Sequence, residues 1–169
     1  HYGRTLAIAS SRGCPFSCTF CGAFLSMGRK WRARSVQSIV TEIEYWQQKG
    51  FTNFNFIDSN FFMSKQRVMD ICDSLSNRHL SITLTSDGMR AKDADPEMLK
   101  KLKKFGLQSV AIGIESANDD ILNSIKKGET VADLESCMER LLDLDINVVA
   151  FFIIVLPGET IKHVLNSFS

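Results

Sequence analysis

Three of the five cysteines in this chain fall within one short stretch, at Cys14, Cys18 and Cys21. Three thiolates so close together can converge on one inorganic centre. A structural zinc site needs four ligands in a closed tetrahedron, and no fourth Cys or His lies nearby in the sequence. A [4Fe–4S] cluster fits better, because each thiolate holds one iron and the fourth iron stays open to a non-protein ligand. Two alternatives remain: a zinc site completed from elsewhere in the chain, or three ordinary buried thiols.

Polar residues follow three of the later strand-like runs. Asp58 and Ser59 come after the second run, Arg90 after the third, and Glu115 with Ser116 after the fourth. Carboxylate and hydroxyl oxygens accept hydrogen bonds from ammonium and hydroxyl groups, and a guanidinium binds a carboxylate bidentately. These residue types therefore favour a site for a charged small molecule. The alternatives are a capped turn at Asp58, a surface arginine at Arg90 and a solvated glutamate at Glu115.

The elements that would position these residues alternate between strand-like runs and segments with helical spacing. The 3.6-residue recurrence of apolar residues predicts helices between the runs. This alternation predicts an α/β fold with a parallel sheet, either doubly wound or curling toward a barrel, whose sites gather at the carboxyl ends of the strands. The last run is almost continuously apolar and predicts a strand covered on both faces. The five runs are Thr5–Ser10, Asn53–Ile57, Ile82–Thr85, Gln108–Ile114 and Asn147–Leu156.

Several residues are typical of helix ends. Ser64 and Asp95 are candidate N-caps, the second followed by Pro96 at the first turn. Thr130 with Asp133 resembles a capping box, and Gly106 is placed to end a helix whose buried stripe is Leu99, Leu102 and Phe105.

Composition narrows the class of protein. Hydrophobic residues make up 44% and charged residues 23% of 169 residues, as in an ordinary globular domain. The net charge of +1 predicts no strong attraction to nucleic acid or to an anionic membrane. The longest apolar run, Val148–Leu156, is shorter than the ~20 residues of a membrane span. Clustered cysteines predict metal binding in a reducing compartment, hence a cytoplasmic location, with Cys72 and Cys137 as packing residues.

The spacing Cys-x3-Cys-x-aromatic-Cys after a first strand resembles the signature of the radical S-adenosylmethionine (SAM) superfamily, and the resemblance extends from Arg4 to Thr160. It implies a partial (β/α)6 barrel in which Cys14, Cys18 and Cys21 ligate a [4Fe–4S] cluster and SAM chelates the open iron. It also implies a low-potential electron donor of the flavodoxin or ferredoxin type. The reduced cluster would cleave SAM to a 5′-deoxyadenosyl radical that abstracts hydrogen from substrate.

The resemblance also implies roles for residues at the strand ends. Phe20 would lie against the adenine of SAM. Asp58, with Ser59 and backbone groups beside it, would receive the SAM amino group. Arg90 would bind SAM or substrate.

Two further positions follow from the same resemblance. Glu115 and Ser116 would accept from the ribose hydroxyls or the methionyl amine. Val155, which stands where the family has Gly before Leu-Pro-Gly-Glu-Thr, would pack near adenine.

Within the superfamily, the stretches 32–35, 58–61 and 113–116 are most similar to the cobalamin-binding subgroup, which includes methyltransferases and the anaerobic magnesium-protoporphyrin cyclase. A small-molecule substrate, and cobalamin held by a domain outside this region, are implied. The alternatives are a methylthiotransferase acting on tRNA or a ribosomal protein, and a non-catalytic iron–sulfur or zinc-binding module.

Residues 1–169 are expected to form one core domain, because ~30 residues per βα unit gives about five units. The chain opens without Met and stops inside a helix-like segment. We therefore expect a piece of a longer protein from which the sixth unit and any accessory domains are absent.

Overall fold

The computed structural model describes residues 4–168; residues 1–3 and 169, which belong to the domain predicted over 1–169, lie outside the described part. The strands are β1 (Arg4–Ile8), β2 (Ser11–Arg12), β3 (Arg32–Ala33), β4 (Phe51–Phe56), β5 (Thr83–Met89), β6 (Leu107–Glu115) and β7 (Asn147–Phe152). The helices are α1 (Ala23–Met27), α2 (Val36–Gln48), α3 (Lys65–Asn77), α4 (Pro96–Phe105), α5 (Asp119–Ser124), α6 (Val131–Asp143) and α7 (Ile161–Ser167).

Five strands form one parallel sheet in the order β1-β4-β5-β6-β7, which is the order of the chain. Leu6 lies opposite Phe54, Asn55 opposite Thr85, and Val110 opposite Val148. The predicted α/β fold with a parallel sheet is therefore confirmed. Over residues 4–168 the sheet is open, with β1 and β7 as its edges. All carboxyl ends of a parallel sheet lie at one edge, so the loops that follow these strands are neighbours.

The longer helices α2, α3, α4 and α6 each bury one apolar stripe. Ile39, Val40 and Ile43 of α2 are fully buried, as are Leu99 and Leu102 of α4. The predicted stripe of α4 is confirmed at these two leucines. The helix is turned so that Met98 is also fully buried while Phe105 is only partly covered.

The predicted helix ends are confirmed. Asp95 caps α4 by accepting a hydrogen bond from the Met98 N–H at 2.9 Å, and Gly106 ends that helix. Ser64 caps α3 through the Arg67 N–H. Thr130 and Asp133 form a complete capping box at α6. These local signals depend on three or four consecutive residues, and tertiary contacts do not override them here.

The final apolar run differs from its prediction. It forms a parallel strand, β7, but the strand ends at Phe152 and most of its side chains are exposed: Val149 is 49% exposed and Phe151 53%. The prediction of a strand covered on both faces was wrong for the described residues. Within residues 4–168, β7 pairs only with β6 and is an edge of the sheet, so its apolar side chains have less to pack against.

Several short elements were not predicted, since a few residues carry too little periodicity to be recognised. The β2–β3 pair flanks the cysteine loop, α1 follows it, and α5 follows β6. No helix among residues 4–168 combines the length and the apolar character that crossing a membrane requires.

Candidate functional site

The cysteine loop is anchored at both ends by backbone hydrogen bonds. The Cys14 N–H donates to the Gly28 carbonyl at 3.1 Å, and the Thr19 N–H donates to the Ile125 carbonyl at 2.9 Å. Arg29 Nη1 donates to the Phe16 carbonyl at 3.0 Å from the side of α1. The loop is thus fixed between α1 and the end of α5, although it contains no regular secondary structure.

The loop forms one wall of a cavity at the carboxyl ends of β5 and β6, with a volume of about 220 Å³. Seven residues predicted for the site line it: Cys14, Cys18, Cys21, Phe20, Ser59, Arg90 and Glu115. Its other lining residues are Phe16, Asp87, Gly88, Met89, Ala111, Gly113, Lys127 and Phe151. The structure therefore brings together residues from distant parts of the sequence, from Cys14 to Phe151.

The three thiols also bound a smaller cavity together with Phe16, Ala23 and Phe24. Every potential metal ligand in this lining is a thiol, so a closed four-ligand zinc shell has no fourth donor there. In their present arrangement, no three or more His, Cys, Asp or Glu side chains among residues 4–168 are placed to hold a metal ion. A donor set of thiols alone on an anchored, half-buried loop fits an iron–sulfur cluster, whose ligands are thiolates.

Burial and nearby charges act on the pKa of the Cys18 thiol in opposite directions. Burial raises the pKa of its thiol, because the charged thiolate loses solvation, and the positive charges of Lys127 and Arg90 oppose that rise. The loop therefore faces a wall of the cavity that carries the cations Lys127 and Arg90 together with the carboxylate of Glu115.

Arg90 is a buried residue of this wall rather than a surface arginine. Its side chain is 12% exposed, its guanidinium lies over the Phe16 ring at 3.4 Å from the centroid, and its Nη2 donates to the Lys127 carbonyl at 2.7 Å. Glu115 as a whole residue is 7% exposed. It is therefore not a solvated glutamate.

Asp58 is placed outside the cavity. Its carboxylate is 3% exposed and accepts hydrogen bonds from the Ser10 N–H at 3.2 Å and from the hydroxyls of Ser10 and Ser11. These bonds tie the residues after β1 to the residues after β4. The carboxylate is thus occupied within the fold, and the backbone beside it is what approaches the cavity.

That backbone approach depends on Gly88 at the end of β5. A Cβ at this position would lie 2.6 Å from the Asp58 carbonyl oxygen and 2.9 Å from that of Ser59. Only glycine allows the two strand ends to come so close. The Ser59 carbonyl and the end of β5 therefore share one edge of the cavity.

Two other predicted residues are not brought to the cavity. Ser116 is fully buried and its hydroxyl accepts from Asn118 Nδ2 at 3.0 Å. Val155 is 85% exposed, lies beyond the end of β7 and has a left-handed backbone with φ of 66°. Phe151 of β7, which was not predicted, lines the cavity instead.

Lys127 and Glu129 are two charged residues at the site that sequence reasoning missed. Lys127 Nζ lies 3.2 Å from Glu115 Oε1 and 3.6 Å from Glu129 Oε2, and all three side chains are buried. Both residues belong to the stretch Lys-Lys-Gly-Glu-Thr at residues 126–130. Nothing in a single sequence indicates which of two adjacent lysines turns inward; Lys126 is exposed.

The sequence matches the family model described as "Radical SAM superfamily" over residues 8–169. The chain belongs to the radical SAM superfamily. The resemblance that the cysteine spacing indicated is thereby confirmed, and so is the class of fold that it implied. The roles of individual residues remain predictions.

The chain is similar to an uncharacterized methyltransferase of Pyrococcus horikoshii, with 32% identity over 93% of this chain and 34% of that protein. It is 30% identical to the anaerobic magnesium-protoporphyrin IX monomethyl ester cyclase of Cereibacter sphaeroides, over 89% of this chain and 25% of that protein. Relatives of the predicted subgroup are thus among the matches. The chain spans about a third or less of the length of these two curated relatives.

Among solved structures, the chain resembles the radical SAM methyltransferase TsrM from Kitasatospora setae, solved with cobalamin and a [4Fe–4S] cluster bound. The TM-score is 0.85 at 21% identity, covering 98% of this chain and 32% of that one. At this identity the likeness shows the fold, and it agrees with a partial barrel of the radical SAM type.

Proposed function

We propose that this chain is the SAM-cleaving core of a radical SAM enzyme, with Cys14, Cys18 and Cys21 as ligands of a [4Fe–4S] cluster. The observation that carries the proposal is the shared cavity: three half-buried thiols, a buried arginine and a buried glutamate face one another at the carboxyl ends of the strands. When bound, the cluster supplies the electron that cleaves SAM to a 5′-deoxyadenosyl radical. The chemistry belongs to the cofactors, and the protein positions them.

The residues of this chain would bind and orient SAM. Arg90 offers guanidinium N–H groups for a carboxylate, and Glu115 offers a carboxylate oxygen for hydroxyl or ammonium donors. The Ser59 carbonyl, beside the end of β5, is a further acceptor. Phe20, which lines the cavity and is 38% exposed, provides an aromatic face for adenine.

We further propose that the whole protein is a methyltransferase or cyclase of the cobalamin-binding type, acting on a small molecule. The two relatives above support this class. Cobalamin would be held outside residues 4–168, and electrons would come from a flavodoxin- or ferredoxin-type donor in the cytoplasm. A methylthiotransferase is the alternative within the superfamily.

The test is reconstitution of the protein with iron and sulfide in the absence of oxygen, followed by metal analysis and electron paramagnetic resonance of the reduced cluster with and without SAM. We expect about four irons per chain and a spectrum that changes when SAM is added, because SAM would bind the open iron.

Cys14→Ala, Cys18→Ala and Cys21→Ala should each lose the spectrum. Cys72→Ala and Cys137→Ala are the matched controls and should retain it, since both thiols are buried in the core. About one zinc per chain, or a cluster whose spectrum ignores SAM, would contradict the proposal.

A further inference from the structure

A chain of four ionic side chains lies at the wall of the cavity, and three of them, Glu115, Lys127 and Arg90, line it. Glu115 pairs with Lys127 at 3.2 Å, Lys127 with Glu129 at 3.6 Å, and Glu129 with Arg90 at 3.6 Å. The exposed fractions of these four side chains are 9%, 7%, 0% and 12% in that order. Two cations and two anions thus alternate, and their charges cancel within the group.

Lys127 is the centre of this chain because it alone touches both carboxylates. A buried carboxylate without a cation is strongly destabilised, so each glutamate depends on its partner. Glu129 has further contacts: its Oε1 accepts from the Lys92 N–H at 3.0 Å. The Glu115 side chain has a single polar partner among residues 4–168, which is Lys127 Nζ.

Glu115 is held in a backbone conformation that few residues adopt. Its φ is 66°, which lies in the left-handed region that residues other than glycine seldom adopt. Its carboxylate is folded back over Gly113: a Cβ on Gly113 would lie 2.2 Å from Glu115 Oε1 and 2.9 Å from Lys127 Nζ. The pair therefore packs flat on the glycine backbone, and Oε1 is turned toward Lys127. Glu115 itself lines the cavity, so its carboxylate is held at the cavity wall by Lys127.

The other end of the chain reaches the cysteine loop. Arg90 Nη2 donates to the Lys127 carbonyl at 2.7 Å, and the guanidinium lies over the ring of Phe16. In the sequence, Phe16 stands between Cys14 and Cys18. Lys127 therefore fixes Glu115 through its ammonium and Arg90 through its carbonyl. Glu129 closes the group by facing both cations.

We propose that Lys127 and Glu129 are positioning residues of the SAM site. In this inference, which rests on the proposed function, Lys127 holds the strained Glu115 so that its carboxylate faces SAM, and Glu129 keeps Lys127 and Arg90 in place. Neither residue contacts SAM through its own charge. Their chemistry is that of a fixed counter-ion, and their effect on SAM passes through Glu115 and Arg90.

The test is a double-mutant cycle on SAM affinity, measured by equilibrium dialysis with labelled SAM on the reconstituted protein. Lys127→Met should weaken SAM binding by about tenfold. In a Glu115→Gln background the same Lys127→Met change should have an effect of less than about twofold, because its target carboxylate is already gone. Lys127→Arg, which keeps the cation, should restore most of the affinity.

Lys126→Met is the matched control, with the same change of charge at the exposed neighbour, and it should bind SAM as the wild type does. Glu129→Gln, which keeps the shape, is a second variant that should weaken SAM binding in the same direction if Lys127→Met fails to fold. This inference alone would be overturned if Lys127→Met weakened SAM binding equally in the wild-type and Glu115→Gln backgrounds. It would also be overturned if Lys127→Met left the SAM affinity unchanged while the wild type binds SAM. A wild type that binds no SAM would overturn the proposed function and this inference with it.

Discussion

At the scale of single residues, the sequence predicted which residue types form the site more accurately than it predicted their contacts. The three cysteines were predicted from residue type and spacing, and Arg90 and Glu115 from the resemblance to the family; the structure brings all five to one cavity. Asp58 was predicted for the site as well, yet its carboxylate accepts hydrogen bonds from Ser10 and Ser11. A strand-end position indicates that a residue is near the site, but only packing decides which way its side chain turns.

The cysteines should separate into two groups by their reactivity toward iodoacetamide. Burial raises the pKa of Cys72 and of Cys137 to about 11, and both side chains are 1% exposed or less. At pH 7.5 a thiol with that pKa is a reactive thiolate in roughly one molecule in 3,000. We expect cluster-free protein to be alkylated at Cys14, Cys18 and Cys21 while these two remain unmodified, as peptide mass spectrometry would show.

Loading the cluster should protect the three loop cysteines, and adding denaturant should expose all five. Cys72 reacting in native protein as fast as Cys14 would contradict the assignment of Cys72 to the core.

At the scale of elements, the local rules were reliable where a few adjacent residues suffice. The caps at Ser64, Asp95 and Thr130 were all predicted, because each depends on a side chain that accepts from an N–H three positions ahead. The short elements α1, α5 and the β2–β3 pair were missed, and they hold or flank the cysteine loop. Their existence depends on tertiary contacts, such as the Thr19 N–H bond to Ile125, that no local pattern contains.

Removing the cap of α4 should destabilise the fold by a predictable amount. Asp95→Ala removes the acceptor for the Met98 N–H and should lower the free energy of unfolding by about 1 kcal/mol, measured by urea denaturation with the circular dichroism of the helices as the signal. Lys100→Ala, at an exposed position of the same helix, should change it by less than about 0.5 kcal/mol.

The cap should also depend on pH. The hydrogen bond from the Met98 N–H, helped by Lys65, holds the pKa of Asp95 below its ordinary value of 3.8. A lowered folded-state pKa means that the contribution is complete above pH 3.8 and is lost as the pH falls through the lowered value. An Asp95→Ala variant as stable as the wild type at pH 7 would contradict the cap's contribution.

At the scale of the whole molecule, the parallel sheet was predicted from the alternation of its elements, and the family follows from the sequence. The surroundings of β7 were not, because an apolar run specifies a buried strand without saying what covers it. Val149 and Phe151 are about half exposed on the edge of the sheet over residues 4–168. The chain spans about a third of the length of the Pyrococcus horikoshii relative.

The central claim is that this cavity cleaves SAM by one-electron reduction. The most direct measurement is release of 5′-deoxyadenosine by the reconstituted protein given SAM and dithionite without oxygen, with Cys18→Ala and Cys72→Ala beside the wild type. We predict that the wild type and Cys72→Ala release the product and that Cys18→Ala releases none. Iron-loaded wild-type protein that releases no 5′-deoxyadenosine, or equal release by Cys18→Ala, would contradict the account.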